Sequence, residues 1–250
     1  MGEIYNPFSL EGKSILVTGA SSGIGQATAI ECSRMGAKVI ITGRDENRLN
    51  ETFQSLEGNN HEMVIAELLD QEDLEKLANA VPPLDGVVFN AGKGNTLPLS
   101  FIKREDIDKV FNINTFSVML LNRILIKKKK INKGASLVFT SSIAAVTMAH
   151  GNGLYSAAKA ALTSYMRTCA RELADKKIRA NAVLPGMVAT KLIEGGSISE
   201  EEKRRDAETY PLKRYGTPND IAWGIIYLLS EASGWVTGSC LYIDGGKTMR

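Results

Sequence analysis

Seven short apolar runs, at residues 14–18, 38–42, 63–66, 86–89, 136–140, 178–184 and 239–243, recur along the chain with helical stretches between them. Runs such as Lys38-Val-Ile-Ile-Thr42 do not alternate polar with apolar positions, which is the pattern of a strand covered on both faces. Strands that alternate with helices pair in parallel through right-handed crossovers, and the helices then cover both sides of the sheet. The expected architecture is α/β, with one doubly wound parallel sheet of seven strands. At 250 residues, with 44% hydrophobic and 23% charged side chains, the chain has the material for one such domain, residues 1–250.

Two segments depart from this rhythm. Lys127-Lys-Lys-Lys130 closes a long helix that begins near Lys103, where the helix dipole stabilises cations; the other reading is a docking patch for an acidic partner. Residues 187–217 form a long connection with its own short helix, opened by the capping box Ser199-Glu-Glu-Glu202. Long connections of this kind act as lids over sites, the alternative being a plain surface insertion.

Composition removes several classes of function. A net charge of +2, with the basic residues spread along the chain, gives no field for nucleic acid. Cys32, Cys169 and Cys240 lie far apart without a CxxC pair, as packed thiols do in a reduced, cytoplasmic compartment; neither a disulfide framework nor a metal site is expected. No apolar run is long enough to span a bilayer, and Asn6 stands where myristoylation after Met1-Gly2 wants Ser or Thr.

The first strand runs directly into Gly19-Ala-Ser-Ser-Gly23-Ile-Gly25 and then into a helix reaching about Met35. A tight glycine turn after a strand lets backbone approach a pyrophosphate at a helix N-terminus. Asn90-Ala91-Gly92 ends the fourth strand, and in an open parallel sheet ligands bind beyond the carboxyl ends of the strands, so Gly19 and Gly92 should face one crevice. The second strand ends in Gly43-Arg44 with no carboxylate at its tip. A guanidinium there holds a 2'-phosphate in a forked geometry, which favours NADP over NAD, although Asp45 and Glu46 just downstream keep NAD open.

Tyr155 and Lys159 are four residues apart, which on a helix places them on one face. A phenol near pKa ~10 needs roughly 4 kcal/mol to titrate at about 7, close to what one cation supplies at ~4 Å and an effective dielectric of ~20. Lys159 is therefore expected to lower the pKa of Tyr155. Ser142, in the loop after the fifth strand, can hydrogen-bond the substrate oxygen that Tyr155 protonates. The pair taken alone also fits an ordinary surface helix.

Thr18-Gly-Ala-Ser-Ser-Gly-Ile-Gly25, Asn90-Ala91-Gly92, Asn114, Ser142, Tyr155-Ser-Ala-Ala-Lys159, Pro185-Gly186 and Ile243-Asp-Gly-Gly246 together resemble the short-chain dehydrogenase/reductase family over nearly the whole chain. The resemblance implies a Rossmann-type fold with Tyr155 as catalytic acid/base, Ser142 polarising the substrate carbonyl or hydroxyl, and Lys159 holding the nicotinamide ribose. It implies that Asn114 positions a water relaying protons to that lysine. Cofactor contacts are implied for Gly19, Ser21, Ser22, Gly23, Ile24, Arg44, Asn90, Ala91, Gly92, Tyr155 and Lys159. Glu67 and Leu68 would lie at the adenine, and Pro185, Gly186, Val188 and Thr190 at the nicotinamide and diphosphate. Two departures are visible: Phe89 stands where the family often has a first asparagine, and Glu67 replaces the aspartate that contacts adenine.

Within the family, the Ala20-Ser-Ser-Gly-Ile-Gly25 turn, the Met148-Ala-His-Gly-Asn152 loop and the C-terminal Ile-Asp-Gly-Gly resemble 3-oxoacyl-carrier-protein reductases. The carrier is acidic, and Lys133 and Lys176 are candidate cations near the mouth. His150 and Asn152 are candidate pocket residues, whereas His61 is expected to be simply solvated. The expected activity is NADP-dependent interconversion of a ketone and a secondary alcohol on a small-molecule substrate, free or carrier-bound. An NAD-dependent dehydrogenase of a sugar, steroid or other secondary alcohol is the enzymatic alternative, and a catalytically silent nucleotide-binding regulator the non-enzymatic one. The family also implies a homotetramer or homodimer, in which Ala157, Ala158 and Ala161 would permit close helix approach.

Overall fold

The first strand of the chain, β1 (Ser14–Thr18), lies inside the sheet, flanked by β2 (Lys38–Gly43) and β4 (Leu84–Phe89). In this computed structural model, which describes residues 5–190 and 199–249, β3 (Glu62–Ile65), β5 (Ile131–Thr140), β6 (Arg179–Pro185) and β7 (Cys240–Ile243) complete the order β3-β2-β1-β4-β5-β6-β7. Every pairing is parallel. The order reverses between β1 and β4, which opens a crevice at their carboxyl ends. β5 begins at Ile131 rather than at the expected residue 136, so its exposed first half reads as a polar loop in sequence.

The helices are α1 (Gly23–Arg34), α2 (Glu46–Gln54), α3 (Gln71–Ala80), α4 (Arg104–Phe111), α5 (Ser117–Lys127), α6 (Gly153–Glu172), α7 (Glu200–Glu208) and α8 (Pro218–Leu229). Successive strand residues point to opposite faces. Leu16, Val87, Phe89, Leu137 and Phe139 therefore pack under α3, α5 and α6, while Ile15, Val17, Val88 and Val138 pack under α1 and α8. Both sides of each inner strand are buried, which is why those runs show no polar face. No helix among the described residues is long and apolar enough to cross a membrane.

The expected long helix from Lys103 is interrupted. Residues Asn112–Phe116 form a π-helical turn between α4 and α5, and it carries Asn114. The lysine run after it is not a free patch: Lys128 pairs with Glu75 at 2.9 Å, and Lys130 donates to the Val81 carbonyl at 2.6 Å. His61 is not simply solvated either. Its Nδ1 accepts from the Val39 amide at 3.1 Å, which leaves Nε2 to donate to the Glu57 carbonyl at 2.9 Å, and so the ring ties the start of β2 to the loop before β3.

Part of the proposed lid, residues 191–198, lies outside the described residues. Beyond it α7 opens with the capping box expected: Ser199 Oγ accepts from the Glu202 amide at 3.2 Å, and Glu202 accepts from the Ser199 amide at 2.8 Å. The root of this segment is bound to the tail that follows β7. Tyr210 accepts from the Met187 amide at 3.2 Å, the Leu212 amide donates to the Gly245 carbonyl at 3.2 Å, and Lys247 reaches Asp206, Thr209 and the face of the Tyr210 ring.

Candidate active site

Thr18 fastens the two strands that border the crevice. Its hydroxyl donates to the Val88 carbonyl at 3.2 Å and accepts from the amides of Asn90 (3.0 Å) and Ala91 (3.1 Å). The Asn90 side chain donates back to the carbonyls of Thr18 and Gly19 at 3.2 and 3.3 Å. Gly19, at φ +64°, thus meets Ala91, the residue before Gly92, and a Cβ on Gly19 would stand 2.8 Å from Ala91 Cα. A Cβ on Gly25 would lie 2.2 Å from the Gly19 carbonyl oxygen and 2.5 Å from Asn90 Nδ2.

This crowding yields a test of the turn. Gly25→Ala is expected to lower stability by about 1–3 kcal/mol or more and to weaken dinucleotide binding, since backbone must move to admit the methyl. A thermal melt and a nucleotide titration identical to those of the native chain would contradict that packing.

The turn fits a dinucleotide. α2 and α3 are capped by Asp45 and Asp70, but α1 opens at Ser22 with no side chain bonded to its first amides and no acidic residue in its first turn. Such an end is ready for an anion. Thr190 approaches the turn as well: its methyl lies 3.2 Å from where a Cβ of Gly23 would stand. At the tip of β2, Asp45 accepts from the amide and Nε of Arg48, at 3.1 and 2.7 Å, and these bonds hold its carboxyl below the usual range. That carboxylate is committed to capping α2. Arg44 donates to Glu67 at 3.2 Å, so the Glu67 carboxylate engages this guanidinium.

At the carboxyl ends of β4 and β5 the remaining residues converge. Ser142 is the N-cap of a short 3-10 turn, Ile143–Ala145, where its Oγ accepts from the Ala144 amide at 3.1 Å, and its hydroxyl is near enough to Tyr155 to favour the phenolate. Tyr155 and Lys159 sit one turn apart in α6, on the same side. Lys159 is 3% exposed; its Nζ donates to the Thr140 carbonyl at 2.8 Å and lies 5.7 Å from the Tyr155 ring centroid. Asn114, fully buried, accepts from the Lys93 amide at 3.1 Å and donates to the Lys93 carbonyl at 2.9 Å and to the Val110 carbonyl at 3.0 Å. Gly92 separates Asn114 from Lys159, its missing Cβ standing 2.7 Å from Asn114 Oδ1 and 3.2 Å from Lys159 Nζ.

The electrostatics differ from the expectation for Tyr155. Burial pushes the phenol above its ordinary range, and Ser142 pulls weakly the other way. Lys159 contributes no lowering, because burial makes it lose its own proton before the phenol would ionise. Burial brings Lys159 down to about 8.

Lys133 and Lys176 do not flank this mouth within the chain. Lys133 stands early in β5 and Lys176 just before β6, so in a parallel sheet both belong to the edge opposite Ser142. His150 is exposed in the loop before α6, and Asn152 is the N-cap of that helix. The Gly151 carbonyl accepts from the Leu97 amide at 2.6 Å, joining this loop to the one after Gly92 as one rim of the crevice.

A family model described as enoyl-(acyl carrier protein) reductase matches residues 19–248. The chain is a short-chain dehydrogenase/reductase. It is 34% identical to a 3-oxoacyl-(acyl-carrier-protein) reductase of Rickettsia felis, over 96% of this chain and 98% of that one. It is 36% identical to a glucose 1-dehydrogenase of Gluconobacter oxydans, over 95% and 92%. A solved short-chain dehydrogenase/reductase superposes with a TM-score of 0.87 at 33% identity, covering 96% of this chain and all of that one. A proposed NAD(P)-dependent gluconate 5-dehydrogenase from Beutenbergia cavernae, with NADP bound at low occupancy, gives 0.89 at 29% identity, covering 98% of this chain and all of that one. This short-chain dehydrogenase/reductase is therefore an oxidoreductase acting on CH–OH groups, on a seven-stranded Rossmann-type sheet.

Two contributors to the site carry no sequence signal. The Thr140 carbonyl that takes the Lys159 ammonium is backbone, and the π turn that carries Asn114 is spelled by residues that read as plain helix.

Proposed function

We propose that the chain is an NADP-dependent reductase that interconverts a ketone and a secondary alcohol, with 3-oxoacyl thioesters of an acyl carrier protein as its substrate class. The observation that carries this reading is the grouping of Ser142, Tyr155 and Lys159 beside Gly92, at the carboxyl edge where the glycine turn also lies. When bound, the dinucleotide supplies the hydride. The first amides of α1 would hold its diphosphate, and Asn90, Ala91, Gly186, Val188 and Thr190 would line its path. Arg44 would hold the 2'-phosphate.

In the reducing direction Tyr155 would give its proton to the carbonyl oxygen, and the Ser142 hydroxyl would steady the oxyanion that develops. A phenol kept protonated by burial is suited to that donor role. Lys159, directed by the Thr140 carbonyl, holds the nicotinamide ribose, and Asn114 fixes the Lys93 backbone at the mouth. Asn114 spends its amide on protein groups, so any water it positions shares Oδ1 with the Lys93 amide.

Cofactor choice is tested by dissociation constants for NADPH and NADH. Arg44→Ala is expected to weaken NADPH about tenfold or more, the loss of a charge-assisted phosphate contact, and to leave NADH within about twofold. Equal weakening of both would remove the 2'-phosphate from this account. A second reading, oxidation of a sugar, is favoured by the glucose 1-dehydrogenase relative at 36% identity. A screen of 3-oxoacyl thioesters against aldoses and aldonates separates the two.

A further inference from the structure

The tips of β2 and β3 bring a guanidinium and a carboxylate together where the proposed cofactor would place its 2'-phosphate. Glu67 is held firmly for a surface residue. Its amide donates to Asp73 Oδ2 at 2.8 Å, its carbonyl accepts from the Asp70 amide at 2.9 Å, and its own Oε1 accepts from the Leu69 amide at 3.2 Å. The turn that follows β3 therefore aims the other oxygen, Oε2, at Arg44 Nη1, 3.2 Å away. The neighbouring charges are already matched: Asp45 is bound to Arg48, and Asp70 caps α3.

Resting on the NADP reading above, we propose that Glu67 sets how strongly this chain prefers a 2'-phosphate. A ribose without that phosphate leaves the Arg44–Glu67 pair undisturbed. A phosphate dianion must instead take the guanidinium from the carboxylate or share it, with a like charge fixed a few ångströms away. Arg44 supplies the selectivity and Glu67 limits it. The side chains are 69% and 36% exposed, so water and salt screen the opposition and keep it modest.

The test needs neither substrate nor turnover. Adenosine 2',5'-bisphosphate and adenosine 5'-monophosphate differ only in the 2'-phosphate, and calorimetry gives the ratio of their affinities. Glu67→Gln and Glu67→Ala are both expected to raise that ratio about three- to tenfold, almost wholly through tighter bisphosphate, and the gain should shrink at high salt. The alanine variant guards against the case in which a glutamine amide simply adds a donor to phosphate. Arg44→Ala should abolish the ratio. If Arg44→Ala abolishes it but both Glu67 variants leave it within twofold or lower it, the role given to Glu67 is wrong and the cofactor reading stands. If the native chain and all three variants bind the two ligands equally, both are wrong.

Discussion

Tyr155→Phe is expected to bind NADPH as the native enzyme does and to reduce ketones about 10²- to 10⁴-fold more slowly, the range for loss of a positioned general acid. The substitution is mild for the fold. Tyr155 stands within the first turn of α6, its hydroxyl has only Ser142 as a neighbour that eases its ionisation, and Ser142 keeps its own partner in the Ala144 amide. One hydrogen bond of about 1 kcal/mol is the expected effect on stability. Steady-state kinetics beside a fluorescence titration of NADPH make the comparison. Turnover within tenfold of native, with binding intact, would mean that the proton comes from elsewhere.

Lys159→Met should give the opposite sign in stability and the same sign in activity. Burial lowers the lysine from its ordinary 10.5 to about 8 in the folded chain. Below pH 8 the ammonium is charged in both states and its burial is opposed in full. Between about 8 and 10.5 the unfolded chain binds more proton than the folded one, so native stability rises with pH across that window. The shift corresponds to roughly 3 kcal/mol at 1.36 kcal/mol per unit, less whatever the Thr140 hydrogen bond returns. At pH 7 the methionine variant is expected to be about 1–3 kcal/mol more stable, melting several degrees higher, with the advantage fading towards pH 10.5. Its turnover should fall about 10²-fold or more. A variant less stable than native at pH 7 would show that the ammonium is well satisfied where it lies.

Such a trade is typical of sites that hold a charge for function rather than for folding. It also explains which parts of this molecule could be read without coordinates. The seven runs were legible because the doubly covered sheet buries both faces of β1, β4 and β5, and the Tyr155–Lys159 pairing followed from helical spacing alone. Tertiary direction was not legible. The spacing of Tyr155 and Lys159 places them together but does not reveal that both are buried, which raises the phenol and lowers the lysine, so the expected acidification of the phenol does not appear. Lys133 and Lys176 look close to the site in sequence, yet strand polarity puts them at the far edge. Glu67 was recognised at the adenine position, but its pairing with Arg44 depends on the register between β2 and β3, in which Gly43 lies opposite Ile65.

Tyr210 takes the Met187 amide, and residues 206–212 are bound in turn to Gly245 and Lys247, so the proposed lid is rooted in the tail after β7. During synthesis the nucleotide-facing strands β1, β2 and β4 leave the ribosome long before these partners do. Until residues 245 and 247 have been made, residues 206–212 lack the partners that fix them, so this segment is the last part of the fold to be anchored.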